Sequence, residues 1–179
     1  VSDLEGMARF YKDVLQFSET DRAGIGSVQL IFLSRDPDTH HQIALMSGRP
    51  AEGVSFNPIN QISFQVPDLA NLRLIHDRAL AADASDMQAT THGNAVSLYF
   101  RDPETNRIEV FMDTPWYCIQ PLREPIDFTR SDEAVMQQAE HIARNSPRFM
   151  PRSERRVQMQ ELMARDQGIA PSEVGKRLW

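Results

Sequence analysis

The first part of the chain contains an internal repeat, which limits the possible folds more than any other feature of the sequence. Val1-Ser-Asp-Leu4 recurs 65 residues later as Val66-Pro-Asp-Leu69. Each copy is followed by apolar residues at the three- and four-residue spacing of an amphipathic helix. Both copies therefore predict the end of a strand that leads directly into a helix with one buried face.

The repeat continues through the strands after each helix. Val28-Gln-Leu-Ile-Phe32 corresponds to Val96-Ser-Leu-Tyr-Phe100, and the sequences that follow, Arg35-Asp-Pro-Asp-Thr39 and Arg101-Asp-Pro-Glu-Thr105, each contain an Asp-Pro turn. Short alternating segments on both sides of such a turn are typical of paired strands. The unit is strand, helix, strand, strand, strand, used twice, and it predicts an α+β fold.

The composition changes after about two thirds of the chain. Residues 1–113 hold 9 basic and 16 acidic side chains, whereas residues 114–179 hold 10 basic and 9 acidic. The second part starts as a proline-rich, extended segment and continues as two polar helices, with Ser131 and Ser153 as predicted N-caps and Gly168 as a predicted C-cap. We therefore predict a repeated domain over 1–113 and a connector with a helical tail over 114–179.

Overall composition narrows the class of protein. The 179 residues are 41% hydrophobic, enough for a core, but no apolar run approaches the roughly 18 residues that a membrane span needs. A net charge of −6 without a basic run in the first two thirds argues against nucleic acid and favours a small molecule as the partner. The single cysteine, Cys118, and the absence of a charged and apolar leader predict a cytoplasmic protein.

The sequence resembles the vicinal-oxygen-chelate superfamily, which includes glyoxalases, bleomycin-resistance proteins and extradiol catechol dioxygenases. The resemblance lies in three strings, VSDLEGMARFYKDVLQF, NQISFQVPDL and VSLYFRDPETNRIEVF, and covers residues 1–113. It implies two βαβββ modules that form an open, barrel-like cleft, followed by a C-terminal helical extension. In that superfamily a divalent metal in the cleft holds two neighbouring oxygens of the substrate.

The resemblance assigns Glu109 as the metal ligand on the last strand of the second module. A carboxylate inside an apolar strand is costly to bury without a metal or a cation, although strand alternation could instead turn it to solvent. The second ligand of the family is a His at the position of Gln61, and an amide oxygen is a weaker ligand than imidazole. The first-module ligand would lie upstream of Val1, so both a further His and the loss of that ligand stay open.

Ala44 makes the extradiol dioxygenases the branch that the sequence resembles most. Four-ligand glyoxalases have a metal-binding Glu at this position, whereas extradiol dioxygenases have a small apolar residue. The implied site is a His, Gln and Glu arrangement that suits Fe(II) in preference to Mn(II). In that branch His41 corresponds to the His that exchanges protons with the catechol and oxygen, and His92 and Tyr99 correspond to residues that hold the substrate oxygens. Exposed strand or turn positions for the two His, and a packing role for Tyr99, are the alternatives.

The leading hypothesis is a metal-dependent oxygenase that resembles the extradiol ring-cleavage enzymes and acts on a small catecholic or vicinally oxygenated compound. Gln61 favours a rival, a non-catalytic small-molecule-binding protein of the bleomycin-resistance type. A third hypothesis keeps the metal but assigns lyase or isomerase chemistry of the glyoxalase type, because fold alone does not determine the reaction.

The tail adds two expectations. Its helices have apolar faces that need a surface to cover, and the family commonly dimerises, so a homodimer is predicted. Arg152, Arg155 and Arg156 could form an anion-binding patch, but the nearby Glu154 and Glu161 favour a solvated, ion-paired helix instead.

Overall fold

The computed structural model describes residues 1–35, 42–49 and 61–174. The chain forms two compact units. The first comprises Val1–Gln88 and Ser97–Phe111, and the second comprises Ala89–Val96 and Met112–Trp179.

The first module of the repeat consists of one helix and one small sheet. Helix α1 (Leu4–Leu15) begins at Asp3, whose carboxylate accepts a hydrogen bond from the Gly6 amide at 2.9 Å, as expected for an N-cap. The antiparallel sheet that follows has the order β1 (Ser18–Ile25), β2 (Val28–Ser34), β3 (Ile43–Met46). The apolar face of α1 is buried as its spacing predicted, and it includes Met7, Phe10, Tyr11, Val14 and Leu15.

The second module repeats this order with its first strand present. Strand β4 (Ile62–Gln65) leads into α2 (Leu69–Ala81), whose N-cap Asp68 accepts from the Asn71 amide at 2.8 Å. Then come β5 (Ser85–Thr91), β6 (Ala95–Arg101) and β7 (Arg107–Asp113).

Strand pairing in the second module follows from its connections. Because α2 carries the chain back across the sheet, β4 pairs in parallel with β7, and Ser63 lies opposite Glu109. The sheet order is β4-β7-β6-β5-β9. The predicted α+β architecture of two modules is confirmed, and the described strands form separate sheets that do not close into a barrel.

The second unit contains the tail. Its elements are β8 (Trp116–Tyr117), β9 (Glu124–Pro125), α3 (Asp132–Arg144), β10 (Met150–Pro151), α4 (Arg152–Gln167) and a 3-10 turn (Pro171–Glu173). Two of the predicted caps are confirmed: Ser131 accepts from the Ala134 amide at the start of α3, and Gly168 ends α4 with a left-handed φ of 65°. None of the helices within the described ranges is long and apolar enough to cross a membrane.

The predicted N-cap at Ser153 is wrong. Helix α4 begins at Arg152, directly after Pro151, and no side chain caps it. Pro151 belongs to β10, which pairs with Trp116 of β8, and the Arg152 amide donates to the Pro115 carbonyl at 2.8 Å. The neighbouring segment therefore satisfies the first helical amide, and Ser153 lies inside the first turn.

Candidate functional site

Glu109 is a buried carboxylate in the middle of β7. It is 8% exposed, and its neighbours Ile108 and Val110 are completely buried. In the sheet, β7 lies between β4 and β6, so strands flank Glu109 on both sides. The alternative that strand alternation turns this side chain to solvent is wrong, because β7 is an inner strand and both of its faces are covered at this point.

Within the described ranges, four uncharged side chains donate hydrogen bonds to the Glu109 carboxylate. Its Oε2 accepts hydrogen bonds from Gln61 Nε2 and from Ser63 Oγ, both at 2.7 Å. Its Oε1 accepts from Ser97 Oγ at 3.0 Å and from the Tyr99 hydroxyl at 2.6 Å. Each oxygen thus accepts two hydrogen bonds from described residues, which satisfies a carboxylate in a buried position. We call these five residues the Glu109 cluster.

The spacing of the four donors explains how local sequence builds the cluster. Gln61 and Ser63 are two residues apart at β4, and Ser97 and Tyr99 are two residues apart on β6. Residues at i and i+2 of a strand point to the same face of the sheet. Sequence reasoning missed Ser63 and Ser97, although each lies two positions from a residue that it did identify.

The cluster has a closed side and an open side. Ser97 and Tyr99 are buried, at 0% and 6% exposure, whereas Gln61 is half-buried and Ser63 is exposed. A molecule can therefore reach the Oε2 side of Glu109 more readily than the Oε1 side.

Arg107 adds a positive charge beside Tyr99. Its guanidinium carbon lies 4.5 Å from the centre of the Tyr99 ring, a cation–π contact, and its buried Nε has no hydrogen-bond partner among the described residues. Arg107 precedes Glu109 by two positions on β7, which puts both on the same face of the strand.

A cavity of about 390 Å³ in the first unit has Ser63 in its lining. Its polar lining includes Arg35, Gln42 and Gln65, and the side-chain oxygen of Gln42 accepts from the Arg35 amide at 2.9 Å. The apolar lining consists of Phe17, Phe64, Val66 and Pro67. The lining thus combines four polar and four apolar residues in a concave surface of the size of a small-molecule site.

In this arrangement, the described residues of the Glu109 cluster are not placed to bind a divalent cation. Within the described ranges there is no group of three or more His, Cys, Asp or Glu side chains that could hold a metal. Both oxygens of Glu109 already accept two hydrogen bonds, and Gln61 presents its amide nitrogen, a donor, to the carboxylate. A metal ligand must instead direct a free oxygen lone pair at the ion.

The other predicted site residues lie elsewhere or outside the described ranges. His92 belongs to the second unit, where its Nδ1–H donates to the Leu122 carbonyl at 2.6 Å. Ala44 is an exposed residue of β3, paired with Phe32 of β2. His41 lies outside the residues that the structure describes. The structure thus brings Gln61, Tyr99 and Glu109 together, and the roles predicted for His41 and His92 stay predictions.

Comparison with known proteins identifies the family. The model of the glyoxalase/bleomycin resistance protein/dioxygenase superfamily matches residues 1–110, so the chain belongs to this superfamily. No curated protein sequence matches the chain significantly.

A solved structure shares the fold. A glyoxylase/bleomycin resistance protein/dioxygenase domain from Frankia sp. EAN1pec is 22% identical, with a TM-score of 0.52 over 64% of this chain and 91% of that one. The fosfomycin resistance protein FosX from Mesorhizobium loti is 24% identical, with a TM-score of 0.48 over 62% and 82% of the two chains. FosX from Listeria monocytogenes, complexed with Mn(II) and sulfate, is 19% identical, with a TM-score of 0.47 over 64% and 84%.

Proposed function

We propose that this protein binds a small, vicinally oxygenated molecule at the Glu109 cluster without a resident metal, as a non-catalytic member of the bleomycin-resistance type. The observation that carries the proposal is the saturation of Glu109 by four uncharged donors. A carboxylate that is buried beside an open cavity and held by hydroxyl and amide groups recognises a hydroxylated ligand by exchange of hydrogen bonds.

The open side of the cluster supplies the mechanism of binding. Ser63 both lines the cavity and donates to Oε2 of Glu109. Because a serine hydroxyl donates one hydrogen bond and accepts two, it can turn to accept from a ligand hydroxyl while a second ligand hydroxyl donates to Glu109. Two neighbouring ligand oxygens then meet two neighbouring protein groups. Ser97 and Tyr99 hold the carboxylate in place from the buried side.

Calorimetric titration of the full chain with catechol, after dialysis against EDTA, tests this function. We expect saturable binding without added metal, and at least about tenfold weaker binding by Glu109→Gln, since the amide replaces one acceptor oxygen with a donor. Glu19→Gln, which alters a half-buried carboxylate paired with Arg22 in the same unit, is the matched control. Catechol binding that appears only after Fe(II) or Mn(II) is restored contradicts the proposal.

The second candidate is the metal-dependent extradiol-type oxygenase. A specific observation favours it: Gln61 and Tyr99 each donate a hydrogen bond to Glu109. These are three of the residues that the extradiol resemblance assigns to the site. Under this candidate Gln61 and Glu109 would be two of the metal ligands, Fe(II) is expected ahead of Mn(II), and His41 and His92 would serve the substrate oxygens. The Gln61 amide would have to flip, so that its oxygen faced the metal in place of the nitrogen that now donates to Glu109.

Metal analysis and oxygen uptake separate the candidates. Full-length protein purified without chelator should contain no stoichiometric metal if the binding function is correct. Retained Fe(II) together with oxygen consumption on addition of catechol would establish the oxygenase instead, and retained metal without oxygen consumption would indicate lyase or isomerase chemistry. Homodimerisation is a separate proposal that sedimentation equilibrium of the same sample tests.

A further inference from the structure

A second cleft lies within the unit formed by Ala89–Val96 and Met112–Trp179. Its volume is about 550 Å³, which falls in the usual range of roughly 300–1,000 Å³ for small-molecule sites. Trp116 and Tyr117 of β8 and Met159 of α4 supply an aromatic and apolar surface. All three side chains are half-buried, so part of each is open to the cleft.

The cleft is also cationic. Arg152, Arg155 and Arg156 line it, and no carboxylate is among the described residues of the lining. Arg152 is neutralised by Asp113, with a nitrogen–oxygen distance of 2.7 Å, and the guanidinium of Arg155 stacks on the Tyr117 ring at 4.3 Å. Arg156 is exposed. No carboxylate of the described part of the chain pairs with Arg155 or Arg156, so two positive charges are left over there in a protein whose net charge is −6.

The ion-paired helix expected from the sequence is not what forms here. Within the described residues, neither Glu154 nor Glu161 makes an ion pair with these arginines. Ser153, which caps nothing, instead lines the cleft with an exposed hydroxyl. The strand partner of β8 determines this arrangement, because β10 runs directly into α4 and so places the first turn of the helix beside Trp116 and Tyr117.

We infer that this cleft binds a small aryl anion, a molecule that joins a flat aromatic ring to a phosphate group. Arginine forms paired, directional hydrogen bonds to phosphate oxygens, and Arg155 and Arg156 are placed to supply them with Ser153 as a further donor. The ring packs against Trp116 and Met159, where its burial removes apolar area from water. The inference uses only residues of the second unit and does not rest on the function proposed for the Glu109 cluster.

Titration of the full chain with phenyl phosphate, followed by the fluorescence of Trp116, tests the inference. Trp116→Phe shows which part of the signal belongs to this residue. We expect saturable binding that weakens as salt is raised and that becomes about tenfold weaker in Arg156→Gln. Inorganic phosphate and phenol, each carrying half of the ligand, should both bind more weakly than phenyl phosphate.

Arg165→Gln is the matched control, because it removes the same charge from the same helix outside the cleft. It should bind phenyl phosphate like the unaltered chain, and circular dichroism should show that both variants are folded. Equal affinity of Arg156→Gln and Arg165→Gln, or no saturable binding of phenyl phosphate, overturns the inference. Weaker binding of phenyl phosphate by Glu109→Gln would also overturn it, since that would place the phosphate at the Glu109 cluster.

Discussion

The hydroxyl of Tyr99 donates a 2.6 Å hydrogen bond to Oε1 of Glu109, and both side chains are buried in neighbouring strands of one sheet. Hydrogen bonds to a carboxylate are shorter and stronger than those between neutral groups. This bond closes the buried side of the Glu109 cluster and leaves Oε2 as the side that faces Gln61 and Ser63.

Tyr99→Phe should lower the free energy of unfolding by about 1.5–3 kcal/mol, because it removes a hydrogen bond to a buried carboxylate without a large change of volume. Urea denaturation measures this loss, provided that the dependence of the unfolding free energy on urea concentration is the same in the variant and the unaltered chain. Tyr117→Phe is the control, since its ring is half-buried and its hydroxyl makes no hydrogen bond within the described residues. A loss below about 0.5 kcal/mol for Tyr99→Phe would show that the bond contributes little.

Gln61→His should raise the affinity for Fe(II) or Co(II) by at least about tenfold, or about 1.4 kcal/mol, because imidazole is a better ligand than an amide and Gln61 touches Glu109. Anaerobic titration of the chelator-treated protein measures this affinity. Gln29→His, at an exposed position of β2 in the same unit, controls for a surface histidine. If the two variants bind metal with equal affinity, the side chain at position 61 is not a metal ligand.

Asp102 should make stability depend on pH. Its Oδ1 accepts from the amides of Glu104 and Asn106 at 3.0 and 2.9 Å, and its Oδ2 accepts from the Tyr11 hydroxyl at 3.3 Å. Burial nevertheless raises the pKa of the Asp102 carboxyl above its ordinary value of 3.8, and burial also raises the pKa of Tyr11. The folded protein therefore keeps the Asp102 proton at pH values where the unfolded chain has lost it.

The sign of this effect follows from proton linkage. The contribution of Asp102 is fully present below pH 3.8 and is lost as the pH rises from there through the raised pKa. The advantage of the unaltered chain over Asp102→Asn in free energy of unfolding should thus shrink between pH 3.5 and 7, as measured by urea denaturation. Asp13→Asn, an exposed residue of α1, is the control. A growing advantage would contradict the raised pKa.

Gly93 should tolerate no side chain. Its φ is 74°, and a β-carbon there would lie 2.5 Å from the Cys118 sulfur and 3.3 Å from the Ala143 α-carbon. We expect Gly93→Ala to lower the free energy of unfolding by about 3 kcal/mol, from backbone strain and overpacking together.

Gly168→Ala separates the two causes. Gly168 has a φ of 65° but open space around it, so only the backbone strain of about 1–2 kcal/mol applies. Thermal unfolding of both variants measures the difference. Equal losses of stability in the two variants would mean that Cys118 and its neighbours can move to accommodate the new methyl group at position 93 without loss of stability.

Local sequence was sufficient to predict much of the secondary structure. The apolar spacing after Leu4 and Leu69 predicted α1 and α2, and Ser131 and Gly168 predicted helix ends that the structure confirms. These features depend on residues within a few positions of one another, so the sequence carries them directly. The position of Glu109 on the last strand of the module could be predicted for the same reason.

The tertiary structure alone decided what surrounds Glu109 and what α4 forms. The two-residue spacing puts Ser63 on the face of Gln61 and Ser97 on the face of Tyr99, but both serines meet Glu109 only because the order β4-β7-β6 places their strands on its two sides. Arg152 pairs with Asp113, rather than with a neighbour on its own helix, because β10 anchors the start of α4 to β8. Strand register and helix placement depend on contacts between residues far apart in the chain, and local propensity does not encode which of those contacts form.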